Sequence, residues 1–122
     1  MERKFDLEQR LVKFAVTSIR FAEKLPTSFS GKHLSGQLIR SATAPALHYG
    51  EAQSAESRKD FIHKLKIALK ELRETRNIML IIHQMAWLNK TDVNALLRET
   101  IELISIFSKS ISTTQKNDTN KN

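Results

Sequence analysis

Apolar residues recur every three or four positions along this chain, and this spacing constrains its fold more than any other feature. The longest pattern runs through Phe61, Leu65, Ala68, Leu72, Thr75, Met79, Ile82 and Ala86. Because an α-helix turns every 3.6 residues, this pattern predicts an amphipathic helix of roughly 30 residues, about 45 Å long. The polar run Asn89-Lys90-Thr91 is expected to end it.

Three other segments show the same rhythm and predict three further helices. They run from Phe5 to Leu25, from about Lys32 to Gln53, and from near Asp92 to Ser112. The connections are short, which favours antiparallel neighbours. We therefore expect an all-α fold, an up-down-up-down antiparallel four-helix bundle over residues 1–114, followed by a disordered polar tail over residues 115–122.

Local signals refine these boundaries. Ser30, after the breaker Pro26, is a candidate N-cap for the second helix. Ser57 followed by Asp60 resembles a capping box for the third helix. Pro45 lies inside the second segment, where a kink is expected because proline removes one helical hydrogen bond.

The composition limits the classes of function. The 122 residues carry a formal net charge of +7 and have no cysteine, which excludes thiolate chemistry and cysteine-bound zinc. The N-terminus lacks the apolar core of a signal peptide, and charges interrupt every apolar stretch, so we expect a cytoplasmic protein without a membrane partner. The positive charge favours polyanionic partners such as RNA or DNA; the alternative is a basic surface that only solubilises the chain.

A line of basic side chains is expected on the third helix, facing away from its apolar seam. Its spacings are four, three, four and three, and its members are Lys59, His63, Lys66, Lys70 and Arg73. Such a line is typical of a helix that follows a phosphate backbone. The alternative is a solvated face with intrahelical ion pairs, such as Lys70 with Glu74.

The apolar residues between Ile78 and Leu88 surround nearly the whole helix circumference, and the last helix has a second apolar stripe. A helix that packs only against its own bundle keeps one polar side. This surplus predicts subunit contacts at Ile78, Ile81, Met85, Leu88, Leu103 and Ile106. The alternative is that the C-terminal helix covers these residues within one chain.

A hairpin of the second and third helices brings His48 close to His63. It also places Glu51 near Lys59, Asp60 and Lys64. Two histidines and a carboxylate are possible metal ligands, but the Glu-x-x-His pairs of helical carboxylate sites are absent from the sequence. We therefore favour a structural polar network of His48 and Glu51, without metal.

The sequence has no Gly-rich phosphate loop, no Gly-x-Ser-x-Gly and no His-Glu-x-x-His. It therefore predicts neither an enzyme nor a cofactor.

The run from Gln37 to Leu65, continued from Ile67 to Thr75, resembles a bacterial family of four-helix bundle proteins. These proteins are encoded by intervening sequences of 23S ribosomal RNA genes or stand alone. The resemblance rests on a Glu-Ala pair, a serine, then Asp-Phe-Ile and an Ala-x-Lys-Glu helix. Many relatives carry asparagine at the place of His48.

The resemblance implies a left-turning four-helix bundle, often a homopentamer with a central channel. The chain is also distantly similar to the pentameric, basic accessory protein of diversity-generating retroelements, which associates with a reverse transcriptase and nucleic acid. We therefore expect a non-enzymatic homo-oligomer, with a pentamer favoured, that binds nucleic acid or such a nucleoprotein partner. The rival hypothesis is a protein-interaction scaffold that receives a partner helix and binds no nucleic acid.

Overall fold

The computed structural model of the chain describes residues 6–120, with side chains through residue 117. Four α-helices and no strand occur in this range: α1 (Leu7–Ala22), α2 (Phe29–Ala52), α3 (Arg58–Met85) and α4 (Lys90–Asn120). The all-α prediction is confirmed, because sequential helices pack against each other as a four-helix bundle requires. None of these helices is long and apolar enough to cross a membrane.

Side-chain caps set where α1 and α3 begin. The Asp6 carboxylate accepts a hydrogen bond from the Gln9 backbone N–H (3.0 Å) and caps α1. The Ser57 hydroxyl accepts one from the Asp60 N–H (3.0 Å) and caps α3, as the Ser57 pattern predicted. Each cap satisfies a backbone donor that the first helical turn leaves unpaired.

The prediction of a Ser30 cap for α2 is wrong, because the N-cap lies two residues earlier. Ser28 is the N-cap, and its hydroxyl accepts a hydrogen bond from the Gly31 N–H (3.2 Å). A Cβ at Gly31 would lie 2.0 Å from the Pro26 carbonyl oxygen. The chain therefore folds back tightly after Pro26, and Ser30 is already inside the helix.

The helix ends also differ from expectation. The third helix ends at Met85, where Ala86 adopts a left-handed conformation (φ 55°), so Trp87 and Leu88 follow the helix and do not extend it. The last helix continues to Asn120, so residues 115–120 are helical and were wrongly expected to be disordered. Adding residues to an existing helix needs no apolar seam, because each adds one backbone hydrogen bond. The rest of the expected tail, residues 121–122, lies outside the described residues.

The second helix continues without interruption through Pro45 to Ala52. Pro45 itself is buried against the other helices.

Each helix contributes one fully buried hydroxyl to an otherwise apolar core: Ser18, Ser41, Thr75 and Thr100, all 0% exposed. The Thr75 hydroxyl lies 2.8 Å from the Ser41 hydroxyl, and the Thr100 hydroxyl donates to the carbonyl of Leu96 (2.8 Å). The Ser18 hydroxyl has no hydrogen-bond partner within the described structure. Burying such groups is costly unless they are paired, so these positions differ in their effect on stability.

The helices do not pack equally. The second helix packs against both α1 and α3, and α3 packs against α4, whereas α1 and α4 approach closely at few positions. Their lengths also differ, with 16 residues in α1 and 31 in α4. Arg10, near the start of α1, pairs with Glu99 in the first third of α4, so the rest of α4 extends past α1.

Candidate nucleic-acid interface

Three of the predicted basic residues line a groove between α3 and α4. Lys66, Lys70 and Arg73 form its α3 wall, and the groove has a volume of about 470 Å³. We call this the basic groove, and its full lining is Lys66, Leu69, Lys70, Arg73, Ser108 and Ile111. Lys59 and His63 are exposed on the preceding turns of α3 but lie outside the groove walls.

Two of the three carboxylates of α3, Glu71 and Glu74, are held on its other flank. Arg40, on α2, forms ion pairs with both Glu71 (3.1 Å) and Glu74. Glu74 thus pairs with Arg40 and not with Lys70, the intrahelical pair considered as the alternative. The positive charge on the α4 side of α3 therefore has no acidic partner from its own helix.

Two carboxylates of α4 face α1. The Arg10 guanidinium binds Glu99 in a bidentate manner, with Nε and Nη2 each 2.8 Å from a carboxylate oxygen, and lies 3.6 Å from Glu102. The hydrogen bonds to Glu99 raise the pKa of Arg10 above its already high usual value. Four carboxylates are thus engaged on other sides of α3 and α4, and no carboxylate lines the basic groove in the described structure.

The spacing of the groove cations matches a phosphate backbone. Seven residues separate Lys66 from Arg73, which is about 10.5 Å along the helix axis. One strand of a duplex advances about 3.4 Å per nucleotide along the duplex axis, so this length corresponds to roughly three nucleotide steps. Across the groove, Ser108 offers a hydroxyl that can donate to a phosphate oxygen.

The predicted polar network of His48 and Glu51 lies at the C-terminal end of α2. Its centre is the Glu51 carboxylate, which lies 3.3 Å from His48 Nδ1 and 3.4 Å from Lys64 Nζ on α3. The hydrogen bond with His48, followed by the charge of Lys64, lowers the pKa of Glu51. Among the described residues, no three acidic or histidine side chains are placed to hold a metal ion.

The residues expected at a subunit interface divide into two groups. Ile81 and Met85 are 49% and 47% exposed, and Leu88 and Ile106 are half-buried. The prediction of subunit contacts is wrong for Ile78, which is 6% exposed, and for Leu103, which is 0% exposed. These two side chains belong to the core of the chain itself, because α3 packs against α2 on one side and α4 on the other.

A second basic wall was missed at the sequence level. Lys13, Arg20 and Lys24 line a larger groove of about 740 Å³ between α1 and α4. Together with Arg10 and Thr17 they follow the same alternation of three and four residues as the basic line on α3. This periodicity of charge along α1 is the sequence signal that indicates the second wall.

Comparison with known proteins identifies relatives of this chain. A family model described as 23S rRNA-intervening sequence protein matches residues 3–109. A crystal structure of a protein with unknown function from the S23 ribosomal protein family of Bacteroides thetaiotaomicron superimposes with a TM-score of 0.81 at 26% identity. The match covers 87% of this chain and 98% of that one. No protein with a curated description is significantly similar in sequence.

Proposed function

We propose that this chain, which belongs to the 23S rRNA-intervening sequence protein family, is a non-enzymatic homo-oligomer whose basic groove binds the phosphate backbone of RNA or DNA. One observation carries the proposal. The carboxylates nearest in sequence to the groove cations pair with Arg40, while Lys66, Lys70 and Arg73 line a groove without an acidic residue. The nucleic acid is bound alone or as part of a nucleoprotein partner, such as one containing a reverse transcriptase.

The groove arrangement is unfavourable for the free protein. Two unit charges about 6–10 Å apart in water repel each other by roughly 0.4–0.7 kcal/mol. A bound polyanion removes this repulsion and releases its own condensed cations. The groove cations are therefore expected to contribute more to binding than to folding.

A mobility-shift assay at low salt tests this half of the proposal. A variant with Lys66→Gln, Lys70→Gln and Arg73→Gln is expected to bind a 20-nucleotide single-stranded RNA more weakly than the wild type, while its Tm stays equal or rises slightly. The matched control neutralises Lys13 and Lys24, on the other side of α4, and should bind as the wild type does. Equal affinity of the groove variant and the wild type would disprove the groove as the binding site.

Homo-oligomer formation is supported by the exposed apolar residues near the end of α3. Ile81 and Met85 lie one turn apart, so both are on one face of the helix, and each is about half exposed. Subunit interfaces have apolar centres depleted of charge. A closed ring, for which we favour five copies, multiplies the net charge of +7 per chain and strengthens its attraction for polyanions.

Light scattering coupled to size exclusion tests the oligomer. The wild type is expected to have the mass of a pentamer, and Ile81→Asp with Met85→Asp is expected to dissociate it. The control Leu47→Asp changes an exposed apolar residue on α2 (68% exposed) and should leave the mass unchanged. A monomeric wild type would refute the oligomer and favour the rival scaffold.

A further inference from the structure

The larger groove, between α1 and α4, lies on a different side of α4 from the basic groove. We call it the α1–α4 groove, and it exists because these two helices approach closely at few positions. It runs along α1 from Arg10 and continues past the end of the helix to Lys24. The helical part, from Arg10 to Ala22, is about 18 Å long, or just over three helical turns.

The floor of the α1–α4 groove is apolar. Phe14, Phe21 and Leu96 line it and are buried to all but 2%, 6% and 4% of their surface. Two small residues, Thr17 and Ala95, are exposed on its walls. Small side chains on both walls let another backbone approach the floor closely.

The two walls carry opposite charge. Lys13, Arg20 and Lys24 are exposed on the α1 wall and form no ion pair within the described structure. The α4 wall carries Asp92 and Glu99, and Glu99 is held by Arg10 at one end of the groove. Within the described residues, the three unpaired cations on one wall outnumber the one unpaired carboxylate on the other, Asp92, so the net uncompensated charge of the groove is positive.

We propose that the α1–α4 groove receives an acidic amphipathic helix of a partner protein. An apolar ridge of that helix lies between the exposed Thr17 and Ala95, above the buried Phe14, Phe21 and Leu96, and its carboxylates line the edge that faces Lys13, Arg20 and Lys24. This is the charge pairing that flanks the apolar seam of packed helices. The helical wall of just over three turns, extended by the residues up to Lys24, sets the length of the partner segment.

A nucleic acid fits this groove less well. Its phosphates are negative on every side, so a strand in the groove would meet Asp92 and Glu99 on the α4 wall. A helix carries carboxylates on one edge only and leaves the other edge neutral. The proposal is independent of nucleic-acid binding, since the two grooves share no residue.

Two synthetic peptides test the proposal by fluorescence anisotropy on the full chain. Both have 16 residues with leucine at the a and d heptad positions; the acidic peptide carries glutamate along one edge, and the basic peptide carries lysine at the same positions. The wild type is expected to bind the acidic peptide at least tenfold more tightly than the basic one. The variant Lys13→Glu, Arg20→Glu, Lys24→Glu is expected to reverse this preference.

The matched control is Lys66→Glu with Lys70→Glu, which reverses charge in the basic groove and should leave the peptide preference unchanged. Chemical-shift changes at the amides of Thr17 and Ala95 would place the acidic peptide in the α1–α4 groove.

Three outcomes would overturn the proposal. The first is equal binding of both peptides, or no binding of the acidic one. The second is an unchanged preference in the α1 variant, or loss of RNA binding in that variant alone, which would assign the groove to nucleic acid. The third is a changed assembly mass in the α1 variant, which would show that a second copy of this chain fills the groove.

Discussion

Replacing Ser18 with alanine is expected to stabilise this protein, although most substitutions of buried residues destabilise. Ser18 is 0% exposed, and its hydroxyl has no hydrogen-bond partner within the described structure. The hydroxyl therefore gives up its hydrogen bonds to water on folding and forms none in return. Alanine lacks the hydroxyl but keeps the Cβ that packs in the core.

Three contributions give the magnitude. Removing an unsatisfied buried hydroxyl gains about 1–3 kcal/mol. Alanine also gains about 0.5 kcal/mol over serine in helix propensity. The lost oxygen leaves a void on the order of 10–15 Å³, which costs about 0.3 kcal/mol. The sum predicts that Ser18→Ala raises the free energy of unfolding by about 1–3 kcal/mol.

Urea unfolding followed by circular dichroism measures this change at a fixed protein concentration, because any assembly makes stability depend on concentration. A paired hydroxyl provides the control. Thr75→Val keeps the shape of the side chain but removes the 2.8 Å contact with Ser41, and it should destabilise by about 1–2 kcal/mol. If Ser18→Ala destabilises by a similar amount, the hydroxyl has a partner such as a buried water, and the reasoning fails.

Further predictions concern a tight turn and an exposed carboxylate. Gly31→Ala places a Cβ 2.0 Å from the Pro26 carbonyl oxygen and should destabilise by at least about 2 kcal/mol, whereas Gly36→Ala, with no atom within 4 Å of the new Cβ, should stabilise by about 1 kcal/mol. Urea unfolding separates the two, and equal effects would contradict the turn geometry. The lowered pKa of Glu51 predicts a contribution to stability that is present above the unfolded-state pKa and lost as the pH falls through the folded-state pKa. In Lys64→Met the pKa of Glu51 should rise, as measured by NMR titration of its side-chain carboxyl; an unchanged pKa would show that Lys64 does not act on it.

The helical segments and their order were predictable, because each carries an apolar period that only a helix satisfies. The boundaries were less so. The start of α2 depends on the close approach of Gly31 to Pro26, a contact across the turn that no local pattern encodes. The end of α4 lies in polar sequence, where the extension to Asn120 leaves no apolar signal to read.

The candidate site was predictable in its residues but not in its boundaries. Periodicity placed Lys66, Lys70 and Arg73 on one face of a helix. That this face is free of acidic residues depends on Arg40, which lies 31 positions before Glu71 in the sequence. The wrong placement of Leu103 at a subunit interface has a similar cause. An apolar stripe shows that a residue is buried, but it does not show whether the same chain or another subunit covers it.

The salt dependence of RNA binding tests the central claim most directly. Each phosphate contact on a single strand contributes about 0.7 to the slope of log affinity against log salt concentration. The variant Lys66→Gln, Lys70→Gln, Arg73→Gln should therefore have a slope shallower than that of the wild type by about 2. Equal slopes for the two proteins, or no binding by the wild type at low salt, would contradict the assignment of the basic groove to a phosphate backbone.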